Sequence, residues 1–188
     1  MTPAKATTPV ELRLVVVTDR AQAKRGLLEV VKASLDGGAH TFLLREKDLP
    51  RSERLALAEE MRALGAFVIA AGTDPLGGDA IHLSAIDPTV TARLTGRSCH
   101  SQAEAMAANE DYVTLSPIFS SASKPGYGPA LGVAALGIGT RQMVLALGGV
   151  QTPAQAAACR EAGAAGVAVM GAIMRADDPA AIVSGFLR

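Results

Sequence analysis

The chain has 188 residues, enough for one domain with a sizeable core. Eighteen basic residues balance eighteen acidic ones with no basic run, which argues against a nucleic-acid surface. The apolar runs are far too short to span a bilayer, and Met1–Thr8 has a lysine but no apolar stretch, so it reads as a loose tail and not a signal peptide.

Residues 1–10 are therefore expected as a flexible tail and 11–188 as a single domain. Leu12–Val17 opens that domain as a largely aliphatic strand, followed by helical spacing over Gln22–Leu35. Thr41–Leu44 and Arg51–Leu64 repeat the pair, and Phe67–Ala70 gives a third strand. Only Ala71–Gly78, AGTDPLGG, then separates it from the strand Ala80–Leu83, too little for a full helix. The third helix is expected to be shortened or missing, leaving the sheet locally open. Arg97–Cys99, Gln102–Ala108, Tyr112–Leu115, Met143–Leu147, Pro153–Ala162, Gly166–Val169 and Pro179–Leu187 continue the alternation. Runs that are apolar throughout suit strands buried on both faces of a parallel sheet.

Small residues at 37–39, 77–80 and 162–166 recur between a helix end and a strand, where glycine supplies a left-handed C-cap. Eight strands in strict alternation fit a compact (βα)8 TIM barrel. A doubly wound open sheet competes, but no GxGxxG follows the first strand.

The chemistry is expected at the C-terminal ends of the strands. Arg45 and Lys47 alternate after the second strand, so both either meet a polyanion or pair with Glu46 or Asp48. Gly148-Gly149 and Met170-Gly171-Ala172 end the last two strands, where barrels bind phosphate through backbone N–H groups; ordinary turns are the alternative. Asp87 either holds Mg²⁺ beside a pyrophosphate or caps a helix before Pro88, and Asp74 is similarly open. His82 and His100 read as buried, hydrogen-bonded histidines more readily than as acid or base. The long segment Ser116–Gly132, SPIFSSASKPGYGPALG, reads as a working loop with four serines and one lysine able to wrap an anion, ahead of a helix start at Gly132–Leu136. Cys99 and Cys159 lie far apart with no metal spacing, which suits a reduced, cytoplasmic protein.

Taken in order, Val17-Thr18-Asp19, Leu44-Arg45-Glu46-Lys47, His82-Leu83 with Asp87, Ser98-Cys99-His100, Ser116-Pro117-Ile118-Phe119 with Ser123-Lys124, Leu147-Gly148-Gly149-Val150 and Gly166–Val169 resemble the thiamine phosphate synthase and thiazole tautomerase superfamily, from about Leu12 to Arg188. The resemblance implies a Mg²⁺-dependent transferase of thiamine biosynthesis. Such an enzyme joins hydroxymethylpyrimidine pyrophosphate to thiazole phosphate by dissociative C–O cleavage. It implies that Arg45, Lys47, Ser121, Ser123 and Lys124 hold pyrophosphate, with Arg45, Lys124 and Ser98 the catalytic set. Asp87 matches one of two metal-binding aspartates, and Gly148, Gly149, Met170 and Gly171 would take the thiazole phosphate.

Three departures stand out. Ala70-Ala71-Gly72 replaces an Asn-Asp pair that contacts pyrophosphate and metal. Leu43 replaces a glutamine, and Gly171 a serine. A thiazole tautomerase or a non-catalytic phosphate-binding relative are the alternatives. Pro117 stands where the tautomerase has its catalytic histidine, leaving His82 or His100 to serve. The expected partners are small-molecule phosphates, with neither nucleic acid nor membrane; a homo-oligomer is left open.

Overall fold

The computed structural model describes residues 10–120 and 129–188. The expected N-terminal tail therefore lies almost wholly outside the described residues. So do Ser121, Ser123 and Lys124.

Strands β1 (Leu14–Val17), β2 (Thr41–Leu44), β3 (Phe67–Ala71), β4 (Ala80–Leu83), β5 (Leu94–Cys99), β6 (Tyr112–Leu115), β7 (Met143–Leu147) and β8 (Gly166–Val169) pair in parallel and in chain order. Val16 sits opposite Val169, so β8 returns to β1 and the barrel closes. Outside it lie helices α1 (Leu27–Asp36), α2 (Arg51–Ala63), α3 (Gln102–Ala107), α4 (Pro153–Glu161), α5 (Gly171–Met174) and α6 (Pro179–Leu187).

Alternation along each strand divides two cores. Val15, Val17, Leu43, Ile69, Leu94, Tyr112 and Leu145 fill the lumen, whereas Leu14, Val16, Phe42, Leu44, Val68 and Val113 pack under the helices. Both faces of most strands are thus dry, which is why most of the runs are continuously apolar. Tyr112 lies across the lumen against Gly96, where an added Cβ would stand 2.1 Å from the ring's Cζ.

The β3–β4 connection contains no helix, as its length predicts. The sheet does not open there: Ala70 and Ala71 pair with Ile81 and His82. Leu76 replaces the helix, with a fully buried side chain in the outer core and a positive φ of 48°. The Asp74 carboxylate accepts the Leu76 N–H at 2.9 Å, and Arg62 donates to the Leu76 carbonyl at 2.8 Å.

Three elements differ from expectation. The α1 helix begins at Leu27 because Asp19 binds the preceding chain locally, accepting from the Ala21 N–H and the Gln22 amide. Strand β5 begins at Leu94; Thr95-Gly96 breaks the apolar run but pairs with Ile81 and His82. Asp87 caps no helix, since none follows β4, and the helix expected near Gly132 is a single 3₁₀ turn, Val133–Leu136.

Arg97 secures the helix-free β4–β5 connection. Its guanidinium reaches Glu110 at 2.7 Å and donates to the carbonyls of Ser84 and Asp87 at 3.0 Å each. Both charged side chains are largely buried, so removing one strands the other. Glu110→Ala is expected to lower unfolding free energy by about 3 kcal/mol, the cost of an orphaned buried charge, as read by denaturant titration. An unchanged midpoint would show the connection to be held otherwise.

Candidate functional site

Thr18, Asp19 and Arg20 from the end of β1, with Arg45 to Asp48 from the end of β2, line a cavity of about 240 Å³ at the C-terminal mouth of the barrel. Leu43 faces the lumen, so the period-two alternation carries Arg45 and Lys47 to the same mouth. The Arg45 N–H donates to Thr18 Oγ1 at 3.0 Å, tying β1 to β2.

Arg20 governs the charge here. It donates from its backbone N–H and its guanidinium to Glu46, each at 3.0 Å, and grips Asp48 through two bonds of 2.8 and 2.6 Å. The guanidinium holds the Asp48 carboxyl below its ordinary range. Glu46 and Asp48 are the carboxylates that sequence proximity offers to Arg45 and Lys47, and Arg20 takes both. Among the described residues the side chains of Arg45 and Lys47 make no hydrogen bond or ion pair. Two adjacent cations engaged in no direct bond to a described residue are what a polyanion needs. The triplet Thr18-Asp19-Arg20 marks a strand end, but nothing in its local sequence assigns Arg20 to residues 26 and 28 positions away.

Asp87 lies near this pair. Its Oδ2 accepts the Ser84 N–H at 2.7 Å, which lowers its pKa, with smaller contributions from the Lys47 and Arg97 charges. Asp74 does not reach the mouth as a free carboxylate: it binds the Leu76 N–H and Arg51, at 2.9 and 2.5 Å. The β3 end contributes only Ala71 and Gly72. Among the described residues no three acidic, histidine or cysteine side chains converge as a metal cage. Asp87 is a single carboxylate here, and one carboxylate is compatible with Mg²⁺ only when the ion's other positions are filled from elsewhere. That suits an ion which keeps several waters and is shared with substrate phosphates.

Beneath the mouth, Ser98 on β5 lies 3.0 Å from His82 Nε2, and His82 Nδ1 lies 3.0 Å from the Tyr112 hydroxyl. Thr114 Oγ1 stands farther from Nε2, at 3.4 Å. His82 is thus the buried, bonded histidine expected from sequence, and with both ring nitrogens engaged it cannot present a free acid or base to the mouth. His100 is exposed, contrary to expectation; its Nδ1 lies 3.3 Å from the carbonyl and hydroxyl of Ser116.

Burial, then the charges of Lys47 and Arg97, pushes His82 from an ordinary 6.5 down to about 4. A depressed folded-state pKa means that the unfolded chain binds the proton more tightly, so stability is lost as pH falls from about 6.5 towards 4. The loss assigned to His82 is about 3 kcal/mol. Comparing urea unfolding of the wild type with His82→Gln across that window isolates it. Equal pH slopes in the two proteins would refute the assignment.

Backbone bonds seat both ends of the β6–β7 loop. Ile118 and Phe119 N–H donate to Leu147 and Gly148 carbonyls at 2.9 and 3.0 Å, and Leu131 N–H returns to the Pro117 carbonyl at 2.8 Å. Gly148 and Gly149 have φ of 91° and 69°. In sequence the two glycines read as room for phosphate, but the β6–β7 loop supplies a nearer reason. A Cβ on Gly149 would stand 2.6 Å from the carbonyl oxygens of Phe119 and Ser120. Met170 precedes α5 and is half-buried; Gly171 opens that helix beside the Arg175 guanidinium.

A family model described as thiamine monophosphate synthase matches residues 14–173. A putative thiamine-phosphate synthase of Geobacter sulfurreducens is 37% identical over 193 residues, covering 90% of each chain. The thiamine-phosphate synthase of Roseiflexus castenholzii is 35% identical, covering 88% of this chain and 82% of its own. Among solved structures, thiamine phosphate pyrophosphorylase from Pyrococcus furiosus superposes with a TM-score of 0.82 at 24% identity over 94% of both chains, a likeness of fold.

Proposed function

The chain belongs to the thiamine monophosphate synthase family, and on that premise we propose that it joins hydroxymethylpyrimidine pyrophosphate to thiazole phosphate with release of pyrophosphate. The observation that carries this reading is the Arg45–Lys47 pair, whose side chains make no hydrogen bond or ion pair among the described residues because Arg20 occupies Glu46 and Asp48.

In this reading Arg45 and Lys47 bind the pyrophosphate, joined by Lys124, Ser121 and Ser123. Ser98 faces the bond that breaks. The bond between the pyrimidine methylene carbon and the bridging oxygen cleaves, and its electron pair leaves on pyrophosphate. The thiazole nitrogen then donates its lone pair to the methylene carbon and forms the new C–N bond. Little covalent work falls to the protein, whose tasks are to hold the partners in line and neutralise the departing charge. Gly148, Gly149, Met170 and Gly171 supply backbone N–H groups for the thiazole phosphate. Asp87 would hold Mg²⁺, which when bound neutralises part of the pyrophosphate charge. Free buried thiols at Cys99 and Cys159 suit a cytoplasmic setting, and no described helix is long and apolar enough to cross a membrane.

The test is direct. The protein incubated with pyrimidine pyrophosphate, thiazole phosphate and Mg²⁺ is expected to yield thiamine phosphate. Binding of thiamine phosphate by calorimetry with no turnover would instead mark a binding protein.

A further inference from the structure

Below the mouth, three side chains form a hydrogen-bonded line from the dry lumen to the reacting end: Tyr112 hydroxyl, His82 imidazole, Ser98 hydroxyl. They come from β6, β4 and β5, and both links measure 3.0 Å. Tyr112 is 1% exposed and His82 5%, whereas Ser98 is half-buried at the upper end. The His82 and Tyr112 rings stack with centroids 5.4 Å apart.

A neutral imidazole has one donor and one acceptor nitrogen, and here the two face different partners. Were Nδ1 protonated, it would donate to the tyrosine oxygen. The phenolic proton would then be buried with no acceptor, because His82 is its hydrogen-bond partner among the described residues. A buried polar group left unmade costs about 1–3 kcal/mol. With the opposite tautomer the phenol donates to Nδ1 and Nε2–H donates to Ser98. The weaker Thr114 contact, at 3.4 Å, is secondary to both. Burial, then the positive charges of Lys47 and Arg97, keeps the ring neutral, against a smaller opposing effect of Asp87.

We infer that Tyr112 is a positioning residue which, through His82, fixes the direction of the Ser98 hydroxyl, so that Ser98 accepts from below and offers its proton to the substrate above. This rests on the proposed synthase reading. There the recipient is the bridging oxygen of the pyrophosphate, which gains charge only as the C–O bond breaks. An aligned donor at that atom acts on the transition state more than on the bound substrate.

Two measurements test it. In ¹⁵N-histidine spectra of the substrate-free protein at neutral pH, His82 is expected to carry its proton on Nε2, with Nδ1 bare. Tyr112→Phe, which keeps the ring against Gly96, is expected to release the tautomer into a mixture. It should also lower kcat by about ten- to a hundredfold, one hydrogen bond to a developing charge, with KM held within about twofold. Ser98→Ala is expected to leave Nε2 protonated, since the tyrosine sets the tautomer. A proton on Nδ1 in the wild type, or a tautomer indifferent to Tyr112→Phe, overturns the inference. Failure of thiamine phosphate formation with Nε2 protonated overturns the synthase reading and leaves the tautomer assignment standing.

Discussion

Lys47→Ala is expected to lower kcat/KM for the pyrimidine pyrophosphate by about 10²–10³-fold while leaving thermal stability unchanged. The magnitude is that of removing one preorganised donor from a developing anion. The stability claim follows from the side chain's surroundings: Lys47 is exposed and bonded to no described residue, so its loss breaks nothing in the fold. Lys47→Arg should retain much of the activity, because the charge is kept while the point-like geometry is not. Steady-state kinetics with thiazole phosphate saturating would measure both. Turnover by Lys47→Ala equal to wild type would remove this lysine from the pyrophosphate site. The companion change Arg20→Met acts in the same direction by an indirect route. Freeing Glu46 and Asp48 supplies counter-ions to Arg45 and Lys47, so pyrophosphate affinity is expected to fall although Arg20 itself need not touch the ligand.

Gly149→Ala is expected to destabilise the fold by about 4 kcal/mol, combining a left-handed backbone with overpacking. At φ 69° an L side chain is strained before any contact is considered. Its Cβ would then meet two carbonyl oxygens, of Phe119 and Ser120, at 2.6 Å. Backbone oxygens cannot turn aside as a flexible side chain would, so the start of the β6–β7 loop, whose Phe119 N–H is tied to the Gly148 carbonyl, has to move. The same substitution at Gly72, which is also left-handed at φ 107° but has nothing within 4 Å of the added Cβ, should cost only the conformational part. Chemical denaturation of the two variants side by side separates strain from collision. Equal losses at both positions would refute the packing argument.

These contrasts show where local sequence stops being informative. Arg45 and Lys47 were legible because a strand of apolar residues ends and two cations follow at alternate positions. That they are unpaired was not legible, since Arg20 reaches Glu46 and Asp48 only after β1 and β2 lie side by side. Asp74 reads in sequence as a spare carboxylate near the missing Asn-Asp pair, but folding commits it to Arg51 and to the turn that buries Leu76. Arg97 gives no signal beyond a charge inside a strand, yet it takes over the work of an absent helix.

The alternation of eight mostly apolar strands with amphipathic stretches was decided by the sequence alone. A parallel barrel buries both faces of every strand, so continuous apolar runs report the fold wherever they occur. The short β3–β4 connection likewise declared its missing helix. Closure of the ring was a tertiary decision: β3 still pairs with β4 because Leu76 fills the outer core that a helix would have covered. So was the state of the polar residues at and beneath the mouth. His82, Ser98 and Tyr112 are 16 and 30 residues apart along the chain, and their protons acquire a direction only when the lumen brings them to 3.0 Å and excludes water.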